Sequence, residues 1–215
     1  MSWRRTHFCG AVTEELVGQE VTLNGWVNRR RDLGGMIFVD LRDRYGLVQI
    51  VFDPSSVTDE VFSRAEQLRG EYVVSVRGVV ARRPEGQENL NLATGRVEVQ
   101  ARDLTILSPA KTPPFEVDRA DTVDESLRLK YRYLHLRSKE LQEAIILRHR
   151  VMQEVRSFLN QHHFLEIETP FLIRSTPEGA RDFIVPSRVH PGEFYALTQS
   201  PQMFKQLLMI SGFDR

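Results

Sequence analysis

The sequence predicts an all-β barrel of five strands and one helix in its first half, followed by an α+β region in its second. Three observations carry this. Five segments before residue 108 alternate apolar and polar side chains; one stretch between the third and fourth has helical spacing; and beyond a proline-rich passage the period becomes that of a long helix. The chain has 215 residues, 41% of them hydrophobic, with 29 basic and 29 acidic side chains and zero formal net charge. That is room for one large domain or two small ones with a real core, and it excludes wholesale disorder, collagen-like repeats and a polybasic tail.

The strands follow in order. In residues 20–27, Val21, Leu23, Gly25 and Val27 share one face while Thr22, Asn24 and Trp26 share the other. Residues 36–43 place Ile37, Val39 and Leu41 on the apolar side and Met36, Phe38, Asp40 and Arg42 opposite. Residues 47–53 group Val48, Ile50 and Phe52, leaving Gln49 with Leu47 and Val51, and Tyr45 and Gly46 make a tight connection before them. Thr58, Asp59 and Glu60 read as an N-cap with acids in the first turn of a short helix that carries Val61, Phe62, Ala65 and Leu68 and ends near Gly70. Residues 71–83 and 95–107 are two more strands around a loop with Pro84, Gly86 and several Asn. Three strands, a helix, then two strands is the wiring of an OB-fold barrel, whose usual ligands are oligonucleotides.

In that fold, strands two and three and the loop joining strands one and two form the binding surface. The expected loop, residues 28–35, carries Arg29, Arg30 and Arg31. Phe38 sits where alternation turns its ring to the polar face, beside Asp40 and Arg42, as a stacking platform for an unpaired base would. With Gln49 on the next strand, the pattern points to single-stranded RNA over duplex. The competing reading is an aromatic covered by a neighbouring domain and a solvated charge cluster. The chain holds 25 Arg against 4 Lys, a bias toward planar forks of donors that a GC-rich genome also produces.

Residues 108–126, with their prolines and acids, read as a hinge or linker. From Glu140 to Asn160, Leu141, Ala144, Ile145, Val151, Met152, Val155, Phe158 and Leu159 form a broad apolar helical stripe. Residues 164–172 then read as a strand interrupted by Pro170. The single cysteine, Cys9, has no disulfide partner, no apolar run has signal-peptide or membrane-span length, and the expectation is a soluble cytoplasmic protein without a membrane segment. His162 and His163 lack a third ligand at metal spacing, so no metal site is expected.

Five stretches in one order carry a resemblance. FLEIETPFL (164–172) resembles motif 1 of the class II aminoacyl-tRNA synthetases; STPEGARDFIVPSR (175–188) and LTQSPQMFKQLLMISGFDR (197–215) resemble the bacterial aspartyl-tRNA synthetase family, as do NRRRDLGG with IFVDLRD and LRLKYRYL (127–134). The resemblance implies an OB-fold anticodon-binding domain over 1–107, a hinge over 108–126, and over 127–215 the incomplete start of an α+β class II catalytic domain, an antiparallel sheet with helices. It further implies an ATP-dependent ligase that attacks the α-phosphate of ATP with the aspartate α-carboxylate, assisted by Mg²⁺, and passes aspartate to the 3′ end of tRNA(Asp), as a homodimer. Position by position, Glu178 falls on the mobile loop that closes over the amino acid, and Ser200, Gln202 and Lys205 line the aspartate pocket. Arg31, Phe38, Gln49 and Glu98 match the anticodon contacts, and Pro170 falls at the dimer interface. Leu33 leans toward the type that charges only tRNA(Asp).

The residues agree with parts of this. Ser200 then Pro201 reads as an N-cap and first helical position, which puts Gln202 and Lys205 three apart on one helix face. His135 and Thr198 depart from the family, which shows Asp and Pro there. Motifs 2 and 3, with most of the ATP site, would follow Arg215, so the expectation is an N-terminal portion that binds tRNA and does not activate aspartate alone. A stand-alone tRNA-binding or regulatory module, and a class II enzyme for asparagine or lysine, are the alternatives.

Overall fold

The computed structural model describes residues 4–176 and 181–215. It divides into two compact units, Met1–Gln142 and Glu143–Arg215.

The first unit is built on a closed barrel in the order β1-β2-β3-β5-β4, from β1 (Glu20–Leu33), β2 (Met36–Asp43), β3 (Gly46–Phe52), β4 (Val73–Arg82) and β5 (Val97–Ser108). Neighbours pair antiparallel except β3 and β5, whose parallel pairing of Ile50 with Val99 and Val51 with Gln100 closes the barrel and leaves no free edge. The alternation read from the sequence holds: Val21, Leu23, Val27, Ile37, Val39, Leu41, Val48, Ile50 and Phe52 are all buried in one cluster. Helix α1 (Asp59–Gln67) adds Val61 and Ala65 to that cluster, and the Thr58 hydroxyl caps it by accepting the Val61 N–H.

β1 differs from expectation in a way that matters. It does not end at Val27 but runs to Leu33 and turns into β2 through Gly34 and Gly35 alone, so the three arginines lie on a strand and not in a loop. Both glycines have positive φ, 61° and 82°, as a two-residue hairpin turn of the primed type requires. The register shifts once, between Val27 and Arg29, leaving Asn28 as the extra residue of a β-bulge.

Residues 108–126, read as a hinge, end in a short 3-10 helix, Val117–Thr122, ahead of α2 (Glu125–Lys130) and α3 (Arg132–His135). Phe115, Ala120 and Leu134 form a small buried cluster of their own, with Val123, Leu127 and Tyr131 against it. His135 is buried beside it, its Nδ1 within 2.9 Å of the Arg132 guanidinium. Burial, then Arg132 and Arg128, hold the imidazole below its ordinary pKa.

In the second unit, α4 (Lys139–Gln161, beginning in the first unit) is the expected long helix. The strand expected over 164–172 is reduced to β6, Leu172–Ile173, because residues 164–170 have no neighbouring strand to pair with. They run instead as extended chain, tied by a bidentate Arg156–Glu166 ion pair at 2.7 and 3.0 Å and by the Leu165 N–H to the Arg215 carbonyl at 3.3 Å. β6 belongs to a three-stranded antiparallel sheet, β6-β8-β7, with β7 at Phe183–Pro186 and β8 at Phe194–Leu197. Helix α5 (Gln202–Ile210) follows. Its N-cap is Pro201 and not Ser200, with no side-chain cap, since φ −79° and ψ 43° put Pro201 outside the helix proper. No helix among the described residues is long and apolar enough to cross a membrane.

Candidate functional site

The β1 bulge decides which arginines reach the barrel's outer face. Without it, Arg29 and Arg31 would follow Val27 to the inside. With it, Arg29 pairs with Asp40 and Arg31 with Phe38, both on the outer side of β2, whereas Arg30 pairs with the buried Val39. Arg30 accordingly leaves the group and donates its Nε to the Ala65 carbonyl near the end of α1, 3.3 Å away. The three arginines expected on one surface are two plus one that braces the helix.

On that face, parallel pairing of β3 with β5 sets Gln49 beside Glu98, and a chain of hydrogen bonds results. Arg31 donates its Nη2 to Asp40 at 2.7 Å and to Gln49 at 3.2 Å, and Gln49 donates its amide to Glu98 at 2.9 Å. Gln49 and Glu98 are nearly covered at 8% exposure each, so desolvation pushes the Glu98 carboxyl above its ordinary pKa; Asp40 is pushed up for the same reason, with Arg31 opposing. Arg83 closes the group, its Nε donating to the Val97 carbonyl at 3.1 Å and its charge facing Glu98 and Asp40. Two donors here, Arg31 Nε and Arg83 Nη2, are buried without a hydrogen-bond partner. Such donors cost free energy unless water or a ligand supplies the acceptor.

Phe38 is half-buried, flanked across the ladder by Arg31 and Val51. It lines a cleft of about 230 Å³ with Val51, Ser56, Gln87, Glu98 and Gln100. A ring wall with amide and carboxylate groups at one place can stack and hydrogen-bond a planar base. Arg83 was not legible as part of this site: it stands just past β4, and alternation gives no cross-barrel neighbours without the closing β3–β5 register.

In the second unit, Lys205 Nζ donates to Ser200 Oγ at 3.3 Å, bringing those two expected residues together. Gln202 and Lys205 are exposed on α5, and Pro170 is exposed after the 164–169 stretch. Glu178 lies outside the described residues. Among those residues no group of three or more His, Cys, Asp or Glu could hold a metal ion.

Comparison with known proteins fits both units. Residues 21–107 match the family described as OB-fold nucleic acid binding domain, and residues 124–215 match tRNA synthetases class II (D, K and N). The aspartate–tRNA(Asp/Asn) ligase of Symbiobacterium thermophilum is 62% identical over 212 residues, covering 99% of this chain and 36% of that protein. Residues 124–215 belong to the class II tRNA synthetase family. The aspartate–tRNA ligase of Bacillus licheniformis is 57% identical over 212 residues, covering 98% of this chain and again 36% of the relative. The chain therefore spans about 36% of the length of the curated relatives it matches. Among solved structures, the asparaginyl-tRNA synthetase of Pyrococcus horikoshii complexed with asparaginyl-adenylate superposes with a TM-score of 0.82 at 26% identity, over 98% of this chain and 46% of that one.

Proposed function

We propose that this chain is the part of an aspartate–tRNA ligase that reads the anticodon loop of tRNA(Asp) and builds one side of the aspartate pocket. The names of its relatives supply the ligase chemistry and the amino acid. The observation that carries the RNA reading is the convergence of Arg29, Arg31, Phe38, Gln49 and Glu98 on one outward face. An unpaired base stacks on Phe38 while its edge meets the Gln49–Glu98 pair, and Arg29 meets phosphate.

In the second unit, Lys205 supplies the positive charge for the side-chain carboxylate of L-aspartate, held in place by Ser200, and Gln202 supplies a hydrogen-bonding amide. A site built around a cation prefers the acid over the neutral amide. ATP with Mg²⁺, a homodimer through the Pro170 region and a cytoplasmic location belong to the same reading. The described residues offer no cluster of three or more His, Cys, Asp or Glu that could hold Mg²⁺. A chain that spans about 36% of its relatives' length is expected to show no aspartate-dependent ATP–pyrophosphate exchange above a buffer control.

The direct test is titration of the chain with the anticodon stem-loop. Phe38→Ala should weaken binding by roughly 1–3 kcal/mol, the contribution of one stacked base. Unchanged affinity with the barrel still folded removes Phe38 as a stacking platform. Leu33, exposed at the end of β1, leans the preference toward tRNA(Asp), although the S. thermophilum relative's name covers both tRNAs; titrating both stem-loops decides between them.

A further inference from the structure

Asn28, the extra residue of the β1 bulge, is gripped from two sides. Its Oδ1 accepts from Arg42 Nη1, and its Nδ2 donates to Asp118 Oδ2 at 2.7 Å. The neighbours' fixed polarity, a cation on one side and a carboxylate on the other, leaves only one orientation for the amide. Arg42 is buried and directs its Nη2 to both oxygens of Glu71, at 2.8 and 2.9 Å. Glu71 is buried too and accepts a second cation, Arg137 Nη1, at 2.6 Å, while the Arg137 guanidinium lies 4.7 Å over the Trp26 ring. Residues 71 and 72 also hold the backbone beside the bulge: the Glu71 N–H donates to the Val27 carbonyl at 2.7 Å, and the Val27 N–H to the Tyr72 carbonyl at 2.9 Å. Glu71 keeps a positive φ of 65°, a conformation that a non-glycine residue holds only when its surroundings enforce it.

Burying these charges brings little net stability, because desolvation offsets most of the attraction. What such a network does well is fix one register over another. Here the register in question is the bulge, and the bulge alone turns Arg29 and Arg31 outward. Two members, Asp118 and Arg137, lie outside the barrel sequence, in the segment that follows β5.

We propose that Asp118 and Arg137, acting through Asn28, Arg42 and Glu71, are positioning residues for RNA recognition: the segment after the barrel locks the β1 bulge and so aims Arg29 and Arg31. This rests on the RNA-binding reading of the outer face. The segment is thereby part of the binding machinery without touching the ligand.

Asp118 gives the sharpest test, because it is an exposed acid. Electrostatics alone predicts that removing it leaves RNA affinity unchanged or raises it. The proposal predicts the reverse: Asp118→Ala in the 215-residue chain binds a short RNA hairpin carrying the aspartate anticodon roughly 3- to 10-fold more weakly. In an Arg29→Ala/Arg31→Ala background the same substitution has no further effect, since there is nothing left to aim. Arg137→Met should behave alike, and Glu71 then still keeps Arg42 as partner. In the RNA-free chain, amide exchange of residues 27–31 quickens in Asp118→Ala while that of β3 does not. Unchanged or tighter hairpin binding by Asp118→Ala, or a loss that persists in the double-arginine background, overturns the proposal. A wild-type chain that fails to bind the hairpin overturns the RNA reading instead, and the exchange pattern then still reports whether Asp118 locks the bulge.

Discussion

The two units have similar proportions of apolar residues and opposite fates for them. In the first, the barrel closes on itself, so every strand finds a cover for its inner face, and Leu23, Ile37, Leu41, Ile50, Phe52 and Leu104 have no exposed surface at all. In the second, among the described residues of 143–215, Ala196 alone is buried. Phe158 is 59% exposed, Phe183 81% and Ile210 84%. Large apolar side chains left this exposed are an association or aggregation liability when they adjoin one another. The comparison teaches that period alone does not make a core: alternation or a helical stripe names the face to be buried, and topology decides whether the chain itself can bury it.

The largest expected effect comes from separating the two. Residues 1–142 expressed alone should unfold in one cooperative transition, whereas residues 143–215 alone should bind a hydrophobic dye, self-associate and show no cooperative transition. A monodisperse 143–215 monomer with strong exchange protection throughout would end the contrast. Single substitutions sharpen it further. Ile50→Ala, at the barrel centre, should cost about 2–5 kcal/mol by denaturant titration, because a cavity remains in a closed core. Val155→Ala, on the α4 stripe and 53% exposed, should change stability by no more than about 0.5 kcal/mol. Comparable losses at the two positions mean that α4 is covered after all.

The same contrast explains what could be read in advance. The strands, the helix after Thr58 and the long helix over 140–160 follow from local periodicity and capping, and they appear where the residues put them. The outward side of Phe38 and Gln49 follows from alternation within one strand. Besides the place of Arg83, three things were not legible, each for a non-local reason. The Leu33–Gly34–Gly35–Met36 turn does carry a hairpin signal, but the run of arginines before it resembles a loop until β2 pairs along it. The bulge at Asn28 is held by residues 14, 43 and 90 positions away, and no window of sequence contains them. The 164–170 stretch has the composition of a strand and lacks a partner strand, which only the assembled sheet reveals.

The smallest expected effect tests whether the barrel's outer face is built for a ligand or for stability. Burial raises the folded-state pKa of Glu98 above its ordinary value, and Gln49 and Arg83 only partly oppose the shift. A carboxyl raised in this way works against the fold at neutral pH, where the charged form must be desolvated. As pH falls through the raised folded value toward the ordinary one, the native state takes up the proton first and stability increases. Asp40, raised by the same cause, adds to the trend. Glu98→Gln should therefore stabilise the barrel most at pH 7, and its advantage over the native chain should shrink as pH falls through that window, read by denaturant titration at several pH values. Other carboxylates cancel in the difference between the two chains. A substitution that destabilises equally at every pH would mean that Glu98 is held chiefly by its Gln49 hydrogen bond. A gain that fades with acid marks instead a carboxylate kept on the face at a cost to the fold, as a residue that serves a bound partner would be.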